Sequence, residues 1–423
     1  MTARQIAQHL NFPTSVTLDE EGRIYVAESG LPFDGAEAGG TVLRIEPDGR
    51  RTALLRDLRP PVNGIVHYEG SLFVSEGGYP GRISRLSLST GVCETLLDGL
   101  PGFGNYHTNM AICGPDQRLY FSQGAMTNSG IIGLDSHDLG WLKLVPHNCD
   151  IPGRDIALTG VNAETADPRF TDGRKVVTGA FSPFGTPTVA GQRVPAAVPC
   201  TSSVMRCNLD GSGLELFAWG LRNAYGLGFL PDGRLLATDQ GADERGSRPL
   251  ANCPDLLFEV HQGGWYGWPD FIGGLPVTDP RFRPGQGPQP SFLISNHNEL
   301  PQPERPLMHF EVNTAPVKFD VVPMTAARWA GHLVVALFGD ERPLTGPPGP
   351  QVGRALVRVN TEDWSIHPTG APVMHRPIDI KFGPPGMILA LDFGEFENTP
   401  EKQVKAKAGS GSLWQLTPDF LEV

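Results

Sequence analysis

Short runs of five to seven residues alternate apolar and polar side chains, and each run is followed by a turn and a second run of the same kind. Period-two alternation with β-branched and aromatic enrichment predicts strands. The paired unit occurs as FPTSVTLDEEGRIYVAESG (12–30), PPVNGIVHYEGSLFVSEGG (60–78), HTNMAICGPDQRLYFSQGA (107–125) and NAYGLGFLPDGRLLATDQG (223–241). A looser copy spans 315–340, and RPIDIKFGPPGMILALDFG (376–394) is the sixth. Further strand signals lie between copies, at 40–49, 81–91 and 203–213. Two inner and two outer strands make a four-stranded antiparallel blade, and blades closed in a ring leave only short, protected edges. The predicted fold is all-β: one six-bladed β-propeller domain over residues 1–423. Two stretches break the spacing, 126–202 and 262–310, and neither has a long helical period. They are predicted as long loop insertions that wall or cover a site, with oligomer contacts as the other use for them.

Composition agrees with many short strands and tight turns: 52 glycines and 40 prolines, without a collagen-like period. The net charge of −12 includes no basic stripe, which argues against nucleic acid and anionic membrane surfaces as partners. No apolar run is long enough to span a bilayer. The first residues lack the apolar core of a signal peptide. The expectation is a cytoplasmic protein if the chain as given is complete, and a periplasmic or secreted one if a leader has been removed. The six cysteines have no CxxC spacing and read as buried free thiols, with a Cys200–Cys207 bridge as the alternative.

Aligning the copies on their turn residue places Phe12, Pro60, His107, Asn223 (after Arg222) and Arg376 at the start of each innermost strand, with Lys318 near that level in the looser copy. Innermost strands of a propeller run side by side, so His107, Arg222, Asn223, Lys318 and Arg376 are predicted to face one pocket. Several cations around one histidine imply an anionic ligand: a polycarboxylate, a phosphate or another oxyanion. Taken singly, each has a structural reading, with Arg222 bridging blades through carbonyls and Lys318 a solvated edge residue. At the end of the second strands stand Glu28, Glu76, Gln123, Asp239 with Gln240, and Asp392, either as turn caps or as oxygen ligands for a hard cation.

The run WGLRNAYGLGFLPDGRLLATDQGADERG (219–246), followed by EVHQGGWYGWP (259–269), resembles the soluble quinoprotein glucose and sorbosone dehydrogenases. That resemblance implies a calcium-bound pyrroloquinoline quinone (PQQ), a tricarboxylate, at the mouth of the ring, oxidising a sugar. It implies His107 as the base and Arg222 and Asn223 as contacts to cofactor and substrate. Lys318 and Arg376 would neutralise the carboxylates, and the main-chain oxygens of Gly241 and Ala242 would hold the calcium. The sequence departs from the family where HNGG becomes His107-Thr108-Asn109-Met110, and where Gly-Pro becomes Gly241-Ala242. The leading expectation is a PQQ-dependent dehydrogenase of a sugar, polyol or aldehyde, with a small-molecule substrate and an electron acceptor as partners. The alternatives are a metal-dependent lactonase or lyase, in which the strand-end acids with Asn63 or Asn109 hold the metal, and a non-catalytic binding propeller. Trp265, Tyr266 and Trp268 either line a sugar site or pack a loop.

Overall fold

Each of the six repeats forms the two inner strands of one sheet. The computed structural model describes residues 3–326, 328–384, 386–399 and 404–422. Blade 1 runs Pro13–Leu18, Ile24–Glu28, Gly40–Ile45, Arg51–Leu58. Blade 2 runs Val62–Tyr68, Ser71–Glu76, Gly81–Ser87, Cys93–Leu100. Blade 3 takes Thr108–Cys113, Arg118–Gln123, Ser203–Asn208, Glu215–Trp219, and blade 4 Ala224–Phe229, Leu235–Asp239, Leu256–Glu259, Met308–His309. Blade 5 takes Pro316–Val321, Leu333–Leu337, Ala355–Val359, Ile366–Pro368. Blade 6 has Pro377–Phe382, Ile388–Asp392, Gly411–Leu416, and its fourth strand comes from the start of the chain, Ala3–Leu10. Pairing within every blade is antiparallel. The innermost strands touch their neighbours in chain order, and blade 6 touches blade 1, so the ring is closed.

The turns behave as the alignment requires. Gly233 has φ of 91°, and Gln117, where another copy has no glycine, still adopts φ of 58°. The alternating pattern has a different outcome from an ordinary half-exposed sheet. The innermost strand Pro13–Leu18 is buried on both faces, because blades pack face to face. Its polar positions bond across to neighbouring blades instead of to water. The Thr14 hydroxyl donates to the Val62 carbonyl at 2.5 Å, and Ser15 to Asp379 at 3.1 Å. Thr238 of blade 4 does the same to the Val317 carbonyl at 2.6 Å. Such bonds satisfy groups whose burial is otherwise costly.

The strand-end acids are caps. Glu28 accepts the Asn11 amide at 2.7 Å and Glu76 the Arg59 amide at 2.8 Å. Asp239 accepts the Arg222 and Asn223 amides at 3.1 and 2.6 Å, and Asp392 those of His375 and Arg376 at 3.0 and 2.8 Å. In blade 5 the register position is Leu337, and Asp255 of blade 4 supplies the missing carboxylate, accepting the Ala315 amide at 2.8 Å. The metal-ligand reading of these acids gives way to this structural one. Among the described residues, no group of three or more His, Cys, Asp or Glu side chains is placed to hold a metal ion.

Residues 126–202 lie between the second and third strands of blade 3. They hold two short helices, Leu134–Asp138 and Trp141–Leu144, and two small hairpin-like sheets. Residues 262–310 follow the third strand of blade 4 and include its short fourth strand. The buried ion pair of Arg248 and Asp270, at 2.9 Å, pins this second insertion. Asp270 also accepts the Leu293 and Ile294 amides. All six cysteines are free; Cys200, Cys207 and Cys253 are buried as expected, whereas Cys93 is exposed on an outer strand. No helix among the described residues is long and apolar enough to cross a membrane.

Candidate functional site

The start of every innermost strand reaches one cavity of about 290 Å³. Thr14, Asn63, His107, Asn223, Ala315 and Ile378 line it, one from each blade or the residue leading into it. The repeat geometry therefore does bring distant stretches of chain together. Close approach of the backbone helps: a Cβ on Gly77 would lie 2.7 Å from Asn63 Nδ2 and 2.8 Å from His107 Cβ.

His107 stands on the polar side. Its Nδ1 lies 2.6 Å from the Gly102 carbonyl oxygen. A carbonyl only accepts, so Nδ1 carries the proton and Nε2 keeps its lone pair. Among the described residues Nε2 has no hydrogen-bond partner, and the ring lines the cavity. Burial holds the imidazole below its ordinary pKa and so favours the neutral base, against the Gly102 carbonyl, which pulls the other way.

Arg222 is buried beside it, with its guanidinium 4.5 Å from the centre of the Tyr106 ring. Nε donates to the Asn128 carbonyl at 2.9 Å. Nη1 donates to the Gln240 carbonyl at 3.3 Å and to the Gly241 carbonyl. Nη2 donates to Asn128 Oδ1 at 2.7 Å and to Asp243 at 2.8 Å. Asn223 receives Asn109 at 2.8 Å and donates to Gln240 Oε1 at 2.8 Å. Arg245 closes the network, reaching Asp243 at 3.0 Å, Asp135 at 2.8 Å and the Tyr106 hydroxyl at 3.1 Å. Two guanidiniums thus share two carboxylates in a buried, mutually satisfied cluster.

Lys318 and Arg376 do not reach the cavity. Lys318 is fully buried in the ring, with Nζ donating to the carbonyls of Thr14 at 2.5 Å and Asn63 at 2.6 Å; the Asp379 carboxylate lies 4.0 Å away as an ion-pair neighbour. Burial pushes its ammonium down to about 8. Its place is set by the strand: it occupies the third position of Pro316–Val321, deeper than the strand start. Arg376 instead ties blades 5 and 6, donating to the carbonyls of Asp340 at 2.7 Å, Phe338 at 3.2 Å and Phe396 at 3.0 Å, and to Glu397 at 3.1 Å. The Gly241 carbonyl faces the Arg222 guanidinium, and Ala242 is buried outside the lining. Of the seven positions, His107, Arg222, Asn223 and Gly241 meet in one place, and Lys318, Arg376 and Ala242 do not.

Several lining residues escaped the sequence reading: Tyr106, Asp243, Arg245, Asp255, Asp340 and Glu341. Asp243 and Arg245 sit within the ADERG stretch that follows Gly241, so their neighbourhood was visible. The Asp340-Glu341 pair follows the second strand of blade 5, where the repeat is loosest. The opposite wall is apolar, with Phe33, Phe338, Phe393 and Phe396 packed edge against ring; Phe393 lies 5.4 Å from Phe338 and 5.7 Å from Phe396. Trp265, Tyr266 and Trp268 are core residues. Trp265 stacks on Trp219 at 6.4 Å, and Tyr266 donates to the Glu259 carbonyl at 2.8 Å. Trp268 donates at 3.4 Å to the same Asn128 carbonyl that holds Arg222, so this stretch supports the site from behind.

No family model matches the chain. Quinoprotein glucose dehydrogenase B of Acinetobacter calcoaceticus is 25% identical over 189 residues, 42% of this chain. The match spans 29% of that protein's length. The PQQ-bound aldose sugar dehydrogenase of Streptomyces coelicolor superposes with a TM-score of 0.58 at 16% identity, covering 99% of this chain and 97% of that one. The PQQ domain of pyranose dehydrogenase from Coprinopsis cinerea gives 0.57 at 13% identity, covering 98% and 95%. The soluble aldose sugar dehydrogenase of Escherichia coli gives 0.55 at 11%, covering 98% and 99%. This chain is therefore a six-bladed propeller of the kind sugar dehydrogenases adopt, with sequence similarity to a quinoprotein glucose dehydrogenase over part of its length.

Proposed function

We propose that this protein is an oxidoreductase of the sugar dehydrogenase type, acting on a hydroxyl-bearing carbon of a small molecule seated in the central cavity. The observation that carries the reading is His107: Nδ1 bonded to a carbonyl, Nε2 unpartnered among the described residues, in a cavity bordered by all six blades. Nε2 takes the hydroxyl proton, and the carbon-bound hydrogen then leaves with its electron pair for a two-electron acceptor. Asn223 and Gln240, held in one hydrogen-bond chain, border the same space and orient the substrate's polar groups. Arg222 is fixed by five hydrogen bonds and serves to hold Asn128, Asp243 and the Gln240-Gly241 backbone in place.

The resemblance implies PQQ on calcium as the acceptor. In favour stand the fold, the base and the Arg222-Asn223 pair. The charges of the lining do not fit a tricarboxylate. Asp340, Glu341 and the phenylalanines occupy the blade 5 and 6 side, while Lys318 and Arg376 are spent elsewhere on carbonyl oxygens. The Gly241 oxygen is taken by a guanidinium, which a calcium ion would have to displace.

The test is dye reduction by the purified chain over a panel of sugars, polyols and aldehydes, with quinone and dye acceptors and with or without PQQ and calcium. Turnover is expected for the wild type, and His107→Asn should lower it by about 10²–10⁴-fold while the protein stays folded. Wild-type turnover that His107→Asn leaves intact would remove the base from the mechanism; no turnover with any acceptor would remove the reaction.

A further inference from the structure

The disagreement between the lining and an anionic cofactor points to a ligand of opposite charge. Two guanidiniums, Arg222 and Arg245, face four carboxylates around the cavity: Asp243, Asp255, Asp340 and Glu341. Both guanidiniums are committed, to Asn128, Gln240, Gly241, Asp243, Asp135 and Tyr106. Asp255 accepts the amides of Gly241 and Ala315, each at 2.8 Å, and Asp340 receives Arg342 at 3.2 Å. Glu341 differs from these three. Among the described residues its carboxylate has no hydrogen bond and no ion pair, although it lines the cavity and is mostly shielded from solvent. Burial holds it above the ordinary carboxylate range, partly offset by the charge of Arg376, whose own N–H groups go to carbonyls and Glu397. A shielded carboxylate without a partner is costly, and a ligand cation removes that cost.

The apolar wall suits the rest of such a ligand. Phe338 already carries one cation, the Arg376 guanidinium at 5.0 Å from the ring centre. Phe393 and Phe396, with Phe33 5.5 Å from Phe396, extend the same surface. Phenyl rings attract cations weakly hydrated enough to leave water, which favours an alkylammonium over a metal ion.

We infer that the cavity takes a small molecule bearing an organic ammonium group, an amino alcohol or amino sugar, with its charge toward Glu341 and its carbon skeleton on the phenylalanine wall. The inference rests on the cavity being the active site proposed above, and it names the class of substrate that site selects.

Calorimetry on the full chain with choline and with its neutral isostere, 3,3-dimethyl-1-butanol, separates charge from shape. Choline should bind at least about 10-fold more tightly, and Glu341→Gln should abolish the difference. Glucosamine should likewise outcompete glucose in the dye-linked assay. Equal binding of the two isosteres by the wild type, or binding of neither, overturns the inference, whether or not the Glu341 variant folds. Dye reduction of neutral sugars that depends on His107, without choline binding, would sink the ammonium and leave the dehydrogenase standing. Choline binding that Glu341→Gln abolishes, without any dye reduction, would do the reverse.

Discussion

The two sides of the cavity are built on the same repeat and differ in what they leave open. On the side of blades 3 and 4, Arg222, Asn128, Asp243, Arg245 and Tyr106 bond one another, while His107 Nε2 has no partner among the described residues. On the side of blades 5 and 6, the wall is apolar, its cation Arg376 is turned into the scaffold, and the Glu341 carboxylate has no hydrogen bond or ion pair among the described residues. A buried network that satisfies itself fixes geometry and offers little attraction to a ligand. Attraction comes from what the scaffold leaves unsatisfied. Register alone therefore does not separate framework from chemistry.

The comparison breaks most visibly at Arg222. Replacing it with methionine removes five hydrogen bonds, leaves Asp243 with Arg245 as its one guanidinium, and should cost about 3–5 kcal/mol of stability in urea unfolding. A cost below about 1 kcal/mol would mean the polar side is not the self-supporting unit described. Lys318→Met should cost about 1–3 kcal/mol, by leaving the Thr14 and Asn63 carbonyls unpaired, with KM unmoved. A raised KM with unchanged stability would return Lys318 to the ligand.

A smaller effect concerns pH. Burial pushes Asp239 up to about 7, against the amides of Asn223 and Arg222 that favour its charge. An unfolded aspartate titrates near ~3.9. Between those values the folded state holds a proton that the unfolded state has lost, so this residue's contribution to stability falls as pH rises from about 4 to 7 and then levels. The difference in unfolding free energy between wild type and Asp239→Asn should follow that slope; a flat difference would mean the carboxylate is ionised throughout. The smallest expected effect is none: calcium and PQQ together should leave the melting temperature unchanged and the absorbance spectrum the sum of its parts. A ligand at about 100 times its Kd adds about 2.7 kcal/mol, so binding would be plain to see and would restore the anionic reading.

The fold was legible because it is written six times. Each copy carries its turn and its alternation, and four of the six carry a strand-end acid, so errors in one are corrected by the others. His107, Arg222 and Asn223 were found the same way. Lys318 was misplaced because the fifth copy is loose: its second strand ends at Leu337 without an acid, and Asp255 caps from blade 4. The pattern also hid how buried charges are spent. Arg376 and Gly241 occupy the expected register, yet what they face depends on carbonyls and carboxylates contributed by other blades. Glu341 lies beyond the end of any repeat, and only the closed ring makes it a neighbour of His107 in one cavity.

Blade 6 borrows its outermost strand, Ala3–Leu10, from the far end of the chain and pairs it with Gly411–Leu416. A chain leaving the ribosome thus makes the first half of this seam long before the second. Until the last segment arrives, blades 1 and 6 cannot be locked together, and a chamber with six sides has only some of its walls. Acquisition of activity should accordingly be an all-or-nothing event late in synthesis, and trimming the first ten residues should loosen the whole barrel at its buckle.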